Sequence, residues 1–218
     1  MNLRSDLLLT LVTDPDLGGD RPLLQIVEAA LTGGATAVQL RDKRSPAAGL
    51  IELGAEMRRI CNLHGAPLLV NDRADLALAL SADGVHLGSE DLPPSDARRL
   101  LPPPLCIGVS AASVREARSA EESGADYLGV GPIFATATKA DAGDPIGLQR
   151  LSEIAAAVRI PVVGIGGIGT GNCASVVEAG AAGVAVISAI MAAEDPAASA
   201  RRLREILDAA RAREGRLP

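Results

Sequence analysis

The chain has 218 residues, 48% of them hydrophobic and 1% aromatic, enough for one domain with a single core of Leu, Val, Ile and Ala. A net charge of −6 and the scarcity of aromatic faces (Tyr127, Phe134, no Trp) exclude both a basic nucleic-acid footprint and a stacking platform for single strands. Three separated cysteines without a CxxC and two lone histidines point to buried, reduced thiols and exclude a zinc-ligand spacing.

In chain order, short apolar runs alternate with helical patterns. The predicted strands are 7–12 (LLLTLV), 36–40 (TAVQL), 67–71 (PLLVN), 83–87 (DGVHL), 106–110 (CIGVS), 127–131 (YLGVG), 161–165 (PVVGI) and 182–187 (AGVAVI). They lack sustained alternation, as strands buried on both faces of a parallel sheet do. Between them lie helical segments. PLLQIVEAALTGG carries apolar Leu24, Val27 and Leu31 and a closing glycine pair, while SVREARSAEESGA and NCASVVEAGA begin with capping residues and end at glycine. The segment 196–215 is an amphipathic helix placed to close the ring. The pattern predicts an α/β fold, a single (β/α)8 TIM barrel over residues 1–218. A doubly wound sheet is the alternative, disfavoured because no GxGxxG follows the first strand. The N-terminal stretch, apolar only briefly before Asp14, is too short for a signal or a membrane span, so a cytoplasmic location without a membrane partner is expected.

Chemistry in such barrels sits at the carboxyl ends of the strands. Behind the eight strands come, in order, TDPD, QLRDK, NDR, HLGSED, SAAS, TATKADA, GGIGTG and ISAI. Both lysines of the chain, Lys43 and Lys139, fall at this end; every other basic residue is arginine. The glycines of 164–172 and the turn at 186–190 suit a phosphate, the alternative being a tight turn without a ligand. Asp72 and Asp91 suit Mg2+, which takes one or two carboxylates and substrate oxygens; alternatively Asp72 caps the next helix and Asp91 pairs with an arginine. Gln39, Arg41 and Lys43 alternate toward one side, as a polyphosphate or amide-bearing ring requires, although Lys43 by itself also reads as a solvated surface charge. His86 reads as a hydrogen-bonded histidine of a polar barrel layer, with a ligand or general base as the other reading. Asp42, Arg44 and Glu90 read as surface groups. Thr136 and Thr138 add hydroxyl donors and Lys139 a compact charge. Two anion sites in one cavity imply two phosphorylated substrates, one bearing a diphosphate that leaves.

Four blocks, QLRDK (39–43), NDRADLALALSADGVHLGSEDLP (71–93), GADYLGVGPIFATATKADA (124–142) and PVVGIGGI with GVAVISAI (161–190), resemble the thiamine-phosphate synthase family. The resemblance implies a barrel transferase that joins a hydroxymethylpyrimidine diphosphate to a thiazole phosphate, or its carboxylated form, through a pyrimidine carbocation. It implies that the pyrimidine diphosphate meets Gln39, Arg41, Lys43, Asn71, Ser110 and Lys139, with Lys139, Arg41, Lys43 and Ser110 in catalytic roles. It places Mg2+ on Asp72 and Asp91, and the thiazole phosphate on Thr136, Ala137, Thr138, Gly167, Ile187 and Ser188.

Two positions depart from the family pattern: Ala112 stands where a histidine is frequent, and Ser89 where glutamine is usual. A related thiazole tautomerase uses that histidine as its acid/base, so Ala112 favours the synthase over the tautomerase. A non-catalytic barrel binding phosphorylated ligands is the other alternative. The expected partners are two phosphorylated small molecules and no nucleic acid. The outer helices face either solvent or a second copy of the chain, so a homo-oligomer remains among the expectations.

Overall fold

The computed structural model describes residues 2–136 and 143–214. Eight strands run β1 (Leu9–Val12), β2 (Ala37–Leu40), β3 (Leu68–Asn71), β4 (Gly84–Leu87), β5 (Cys106–Ala111), β6 (Tyr127–Val130), β7 (Val162–Ile165) and β8 (Gly183–Val186). Each pairs in parallel with the next, and β8 pairs with β1, giving a closed barrel. Every predicted strand is present within two residues of its predicted ends. Closure rules out the doubly wound alternative. The missing alternation has its expected cause: all four residues of β1, β2, β6 and β8 are buried, one face against helices and the other inside the barrel.

The described helices are α1 (Leu3–Asp6), α2 (Leu23–Thr32), α3 (Ala47–His64), α4 (Ala74–Ala79), α5 (Pro94–Leu100), α6 (Val114–Glu122), α7 (Gly147–Ala157), α8 (Cys173–Glu178), α9 (Ser188–Met191) and α10 (Pro196–Glu214). The last packs against both α2 and α8 and so closes the ring as expected. Gly33 makes that closure possible, since a Cβ there would stand 2.3 Å from the Ala197 carbonyl oxygen. Helix α6 begins on a side-chain cap: Ser113 Oγ accepts from the Glu116 N–H, and the Glu116 carboxylate accepts from the Ala112 N–H at 2.8 Å. No described helix is long and apolar enough to cross a membrane.

At the amino end of the barrel one device recurs. The residue ahead of a strand ties down the strand before it: Thr36 Oγ1 accepts from Leu9 N at 2.9 Å, Asp83 Oδ2 from Leu68 N at 2.8 Å, and Asp126 Oδ2 from Ile107 N at 2.7 Å. The two aspartates are themselves gripped by Arg58 of α3 and Arg98 of α5. These ties hold the end of the barrel away from the loops that carry chemistry.

Candidate active site

At the carboxyl ends of the strands lies a cavity of about 360 Å3. One wall is cationic. Arg41, just past β2, is fixed by two residues past β1. Thr13 Oγ1 accepts from the Arg41 N–H at 2.9 Å and donates to the Arg41 carbonyl at 3.0 Å, while the guanidinium Nη1 lies 3.2 Å from Asp14 Oδ2. Lys43 Nζ lies 3.9 Å from Asp72 Oδ2, and both residues line the cavity.

The turn after β3 sets Asp72. Its backbone has φ +64°, and its N–H donates to the His86 carbonyl at 2.8 Å. Aspartate tolerates this left-handed conformation better than most residues, at a cost that a functional turn can hold. The Asp72 carboxyl is hydrogen-bonded to that of Asp91, which in turn accepts from the Gly88 N–H at 2.7 Å. Burial, reinforced by the Asp91 hydrogen bond and charge, pushes Asp72 up to about 6, against the opposing pull of Lys43 and Arg41. Neither plainer role is taken: the N-cap of α4 is Arg73, and among the described residues Asp91 is not paired with an arginine.

The opposite wall is the glycine loop. Gly166 and Gly167 have φ +98° and +64°, and a Cβ on Gly167 would stand 2.6 Å from the Ala135 carbonyl oxygen, so only glycine fits without strain. Asn172 braces the loop, accepting from Gly169 N at 2.8 Å and donating to the Gly167 carbonyl at 2.9 Å. Ile187 and Ser188, at the start of α9, face the same space, as does Thr136.

The cavity therefore gathers Arg41, Lys43, Asn71, Asp72, Ser110 and Thr136, together with Gly167, Ile187 and Ser188. Gln39 and Asp91 stand differently. Asp91 lies against Asp72 without lining the cavity, and Gln39 is buried on the barrel floor, in a 40 Å3 space that shares His86, Ser110, Gly129, Ile165 and Ala185 with the cavity above. Ala137, Thr138 and Lys139 lie outside the described residues. Ser89 and Ala112, the two departures, both line the wall. His86 holds hydrogen bonds to Tyr127 and Ser110, as a histidine of the polar layer should. Asp42 accepts from Arg44 N and Ser45, and Arg44 pairs with Asp16 at the surface, as expected of surface groups. Thr13, Asp14, Tyr127 and Glu116 were not singled out by their sequence context, although TDPD already stood at a strand end and Tyr127 is the sole tyrosine.

A closed parallel barrel with a carboxylate pair, two cations and a glycine loop around one cavity is the layout of a (β/α)8-barrel enzyme with its chemistry at the strand carboxyl ends. A family profile described as thiamine monophosphate synthase matches residues 9–190. Thiamine-phosphate synthase of Moorella thermoacetica is 58% identical over 203 residues, covering 93% of this chain and 97% of its own. That of Roseiflexus castenholzii is 53% identical, over 89% of this chain and 86% of its own. The solved thiamine phosphate pyrophosphorylase of Pyrococcus furiosus superposes with a TM-score of 0.89 at 44% identity, covering 96% of this chain and 99% of that one. The chain belongs to the thiamine monophosphate synthase family. It is a transferase of thiamine biosynthesis, with thiamine-phosphate synthase activity on phosphorylated small molecules.

Proposed function

We propose that the chain, working as one catalytic domain, joins hydroxymethylpyrimidine diphosphate to thiazole phosphate (or its carboxylated form) with Mg2+, releasing pyrophosphate before the new bond forms. The observation that carries this reading is the Asp72–Asp91 carboxyl contact beside Lys43 and Arg41, facing a glycine loop across one cavity. Two hard oxygen donors fit Mg2+, which completes its shell with water and substrate oxygens. A carboxyl raised to about 6 by burial and by its neighbour's hydrogen bond and charge is a group that a cation would relieve. When bound there, the metal would supply charge for the departing diphosphate.

The protein's own part is positioning. Arg41, Lys43 and Lys139 hold the diphosphate oxygens where negative charge grows, and Asn71 and Ser110 orient the pyrimidine end, with Gln39 below. Gly167, Ile187, Ser188 and the Thr136–Thr138 segment hold the thiazole phosphate, so that the thiazole nitrogen lies in line to capture the pyrimidine carbocation. No general base is required for capture by a ring nitrogen. Ala112 brings no acid or base to the wall it lines, which disfavours a tautomerase. A cytoplasmic setting fits Cys61, Cys106 and Cys173, which are all buried and free of disulfides.

The test is to incubate the purified chain with both substrates and Mg2+ and to follow thiamine phosphate and pyrophosphate together. Equal yields that stop on chelation are expected. Absence of product with Mg2+ present overturns the reading, and product unaffected by chelation overturns the metal.

A further inference from the structure

Beneath the cavity a chain of polar side chains crosses the barrel through four strands. Gln39 of β2 hydrogen-bonds the Tyr127 hydroxyl of β6. The same hydroxyl lies 2.9 Å from His86 Nδ1 of β4, and His86 Nε2 lies 3.1 Å from Ser110 Oγ of β5. Gln39 and Tyr127 are 6% and 3% exposed, whereas Ser110 opens into the cavity. The chain thus runs from a dry floor to the ligand space.

Two mid-strand glycines make room for it. A Cβ on Gly108 would stand 2.1 Å from Tyr127 Cζ, and one on Gly129 would stand 2.6 Å from His86 Cε1. The rings occupy the volume that side chains at those positions would fill, with centroids 5.4 Å apart. Their placement is therefore fixed by packing as well as by hydrogen bonds.

Burial keeps the Tyr127 phenol protonated, and one direction of the chain follows if the Gln39 amide turns its N–H toward the phenol oxygen. The phenol proton is then directed to His86 Nδ1. A neutral imidazole that accepts at Nδ1 carries its proton on Nε2, which donates to Ser110 Oγ. With its oxygen accepting from His86, the serine turns its own proton toward the cavity.

We propose that His86 and Tyr127 are positioning residues for the coupling reaction, holding Ser110 through this chain as a hydrogen-bond donor to an acceptor atom of the diphosphate substrate. The proposal rests on the role given to Ser110 above. Neither residue needs to touch substrate; both set which way Ser110 points, and so when the substrate binds no rotor has to be ordered.

Two measurements test it. The first needs no substrate. The chain has two histidines, so long-range 15N–1H correlation yields two ring patterns, and His64→Gln at the exposed last residue of α3 assigns them. A His86 ring protonated at Nε2 alone is expected; protonation at Nδ1, or at both nitrogens, overturns the direction. The second is a double-mutant cycle of Tyr127→Phe, which keeps the ring that fills the Gly108 space, with Ser110→Ala. Tyr127→Phe alone should lower kcat on the order of tenfold, the equivalent of about one hydrogen bond, with the KM for thiazole phosphate unchanged. In the Ser110→Ala background it should lower kcat no further. Additive losses overturn the relay and mark Tyr127 as a packing residue. Undiminished turnover of Ser110→Ala overturns the serine's role and this proposal with it, while the coupling activity, read in the parent chain, stands separately.

Discussion

Thr13 holds Arg41 by both of its backbone polar groups, accepting from the N–H at 2.9 Å and donating to the carbonyl at 3.0 Å, while Asp14 takes the guanidinium. The first strand thereby positions a cation that belongs to the second. Thr13 is fully buried, so Thr13→Val leaves two backbone groups of Arg41 without this partner, at a cost of about 1–3 kcal/mol. Asp14→Asn keeps the shape and removes the charge that directs Arg41. Both substitutions should raise the KM for the pyrimidine diphosphate, on the order of tenfold, and leave that for the thiazole phosphate near its parent value. Steady-state kinetics with each substrate varied in turn checks this; a rise confined to the thiazole phosphate would count against Arg41 at the diphosphate.

The raised Asp72 carboxyl should make stability and affinity for the proposed metal depend on pH in opposite senses. Its folded value of about 6 stands above the ordinary 3.8, so the folded chain holds this proton more tightly than the unfolded one. The stability it contributes is fully present below 3.8 and is lost as pH rises through about 6. Asp72→Asn lacks that loss. In metal-free buffer, the Tm of the variant minus that of the parent should therefore increase from about pH 4 to about pH 7. Magnesium needs the carboxylate, so its stabilisation of the parent should be greater near pH 7.5 than near pH 5, and absent in the variant. Thermal melts at matched ionic strength read both effects. A Mg2+ shift retained in Asp72→Asn would place the metal elsewhere.

At the other end of the barrel, Asp126 accepts from Ile107 N at 2.7 Å and is gripped by Arg98. Replacing it by alanine leaves a strand N–H without its partner and a half-buried guanidinium with only the carbonyls of Leu101, Leu105 and Gly124, and a loss of about 2–3 kcal/mol is expected. The denaturation midpoint should fall at unchanged slope, with both KM values preserved, because this face is remote from the cavity. A KM change without destabilisation would contradict that division of labour.

That same division explains what the sequence could reveal. Each strand was legible because a short run buried on both sides carries its own signal, and Arg41, Lys43 and Asp72 followed from their address at strand ends, whereas Asn71 and Ser110 came from the family resemblance. Helix α1 was not legible. It has only four residues and no apolar period, and is held by distant groups such as Arg211, which donates to the Arg4 carbonyl at 2.8 Å. Nor was the relay on the barrel floor, because it depends on register: Asn71 opposite His86, His86 opposite Gly108, and Gly108 opposite Tyr127. No local pattern specifies the stagger of a closed barrel. The one local trace was glycine in the middle of CIGVS and YLGVG, where strands otherwise avoid it.

Gly167 offers the sharpest separation of the two proposed anion sites. It sits at φ +64°, and a Cβ there would press on the Ala135 carbonyl at 2.6 Å and on Phe134 Cβ at 2.8 Å. Alanine would impose about 1–2 kcal/mol of backbone strain and would also push the loop off its contacts with the segment that leads to Thr136. The backbone proposed to face the thiazole phosphate would shift, whereas the Arg41–Asp14 and Lys43–Asp72 pairs lie across the cavity on other strands. Gly167→Ala should therefore raise the KM for thiazole phosphate by about tenfold or more and leave that for the pyrimidine diphosphate nearly unchanged. Isothermal titration with inorganic phosphate alone gives a second reading, in which the variant binds more weakly than the parent. Equal rises in both KM values would mean that the loop serves the cavity as a whole and not one phosphate.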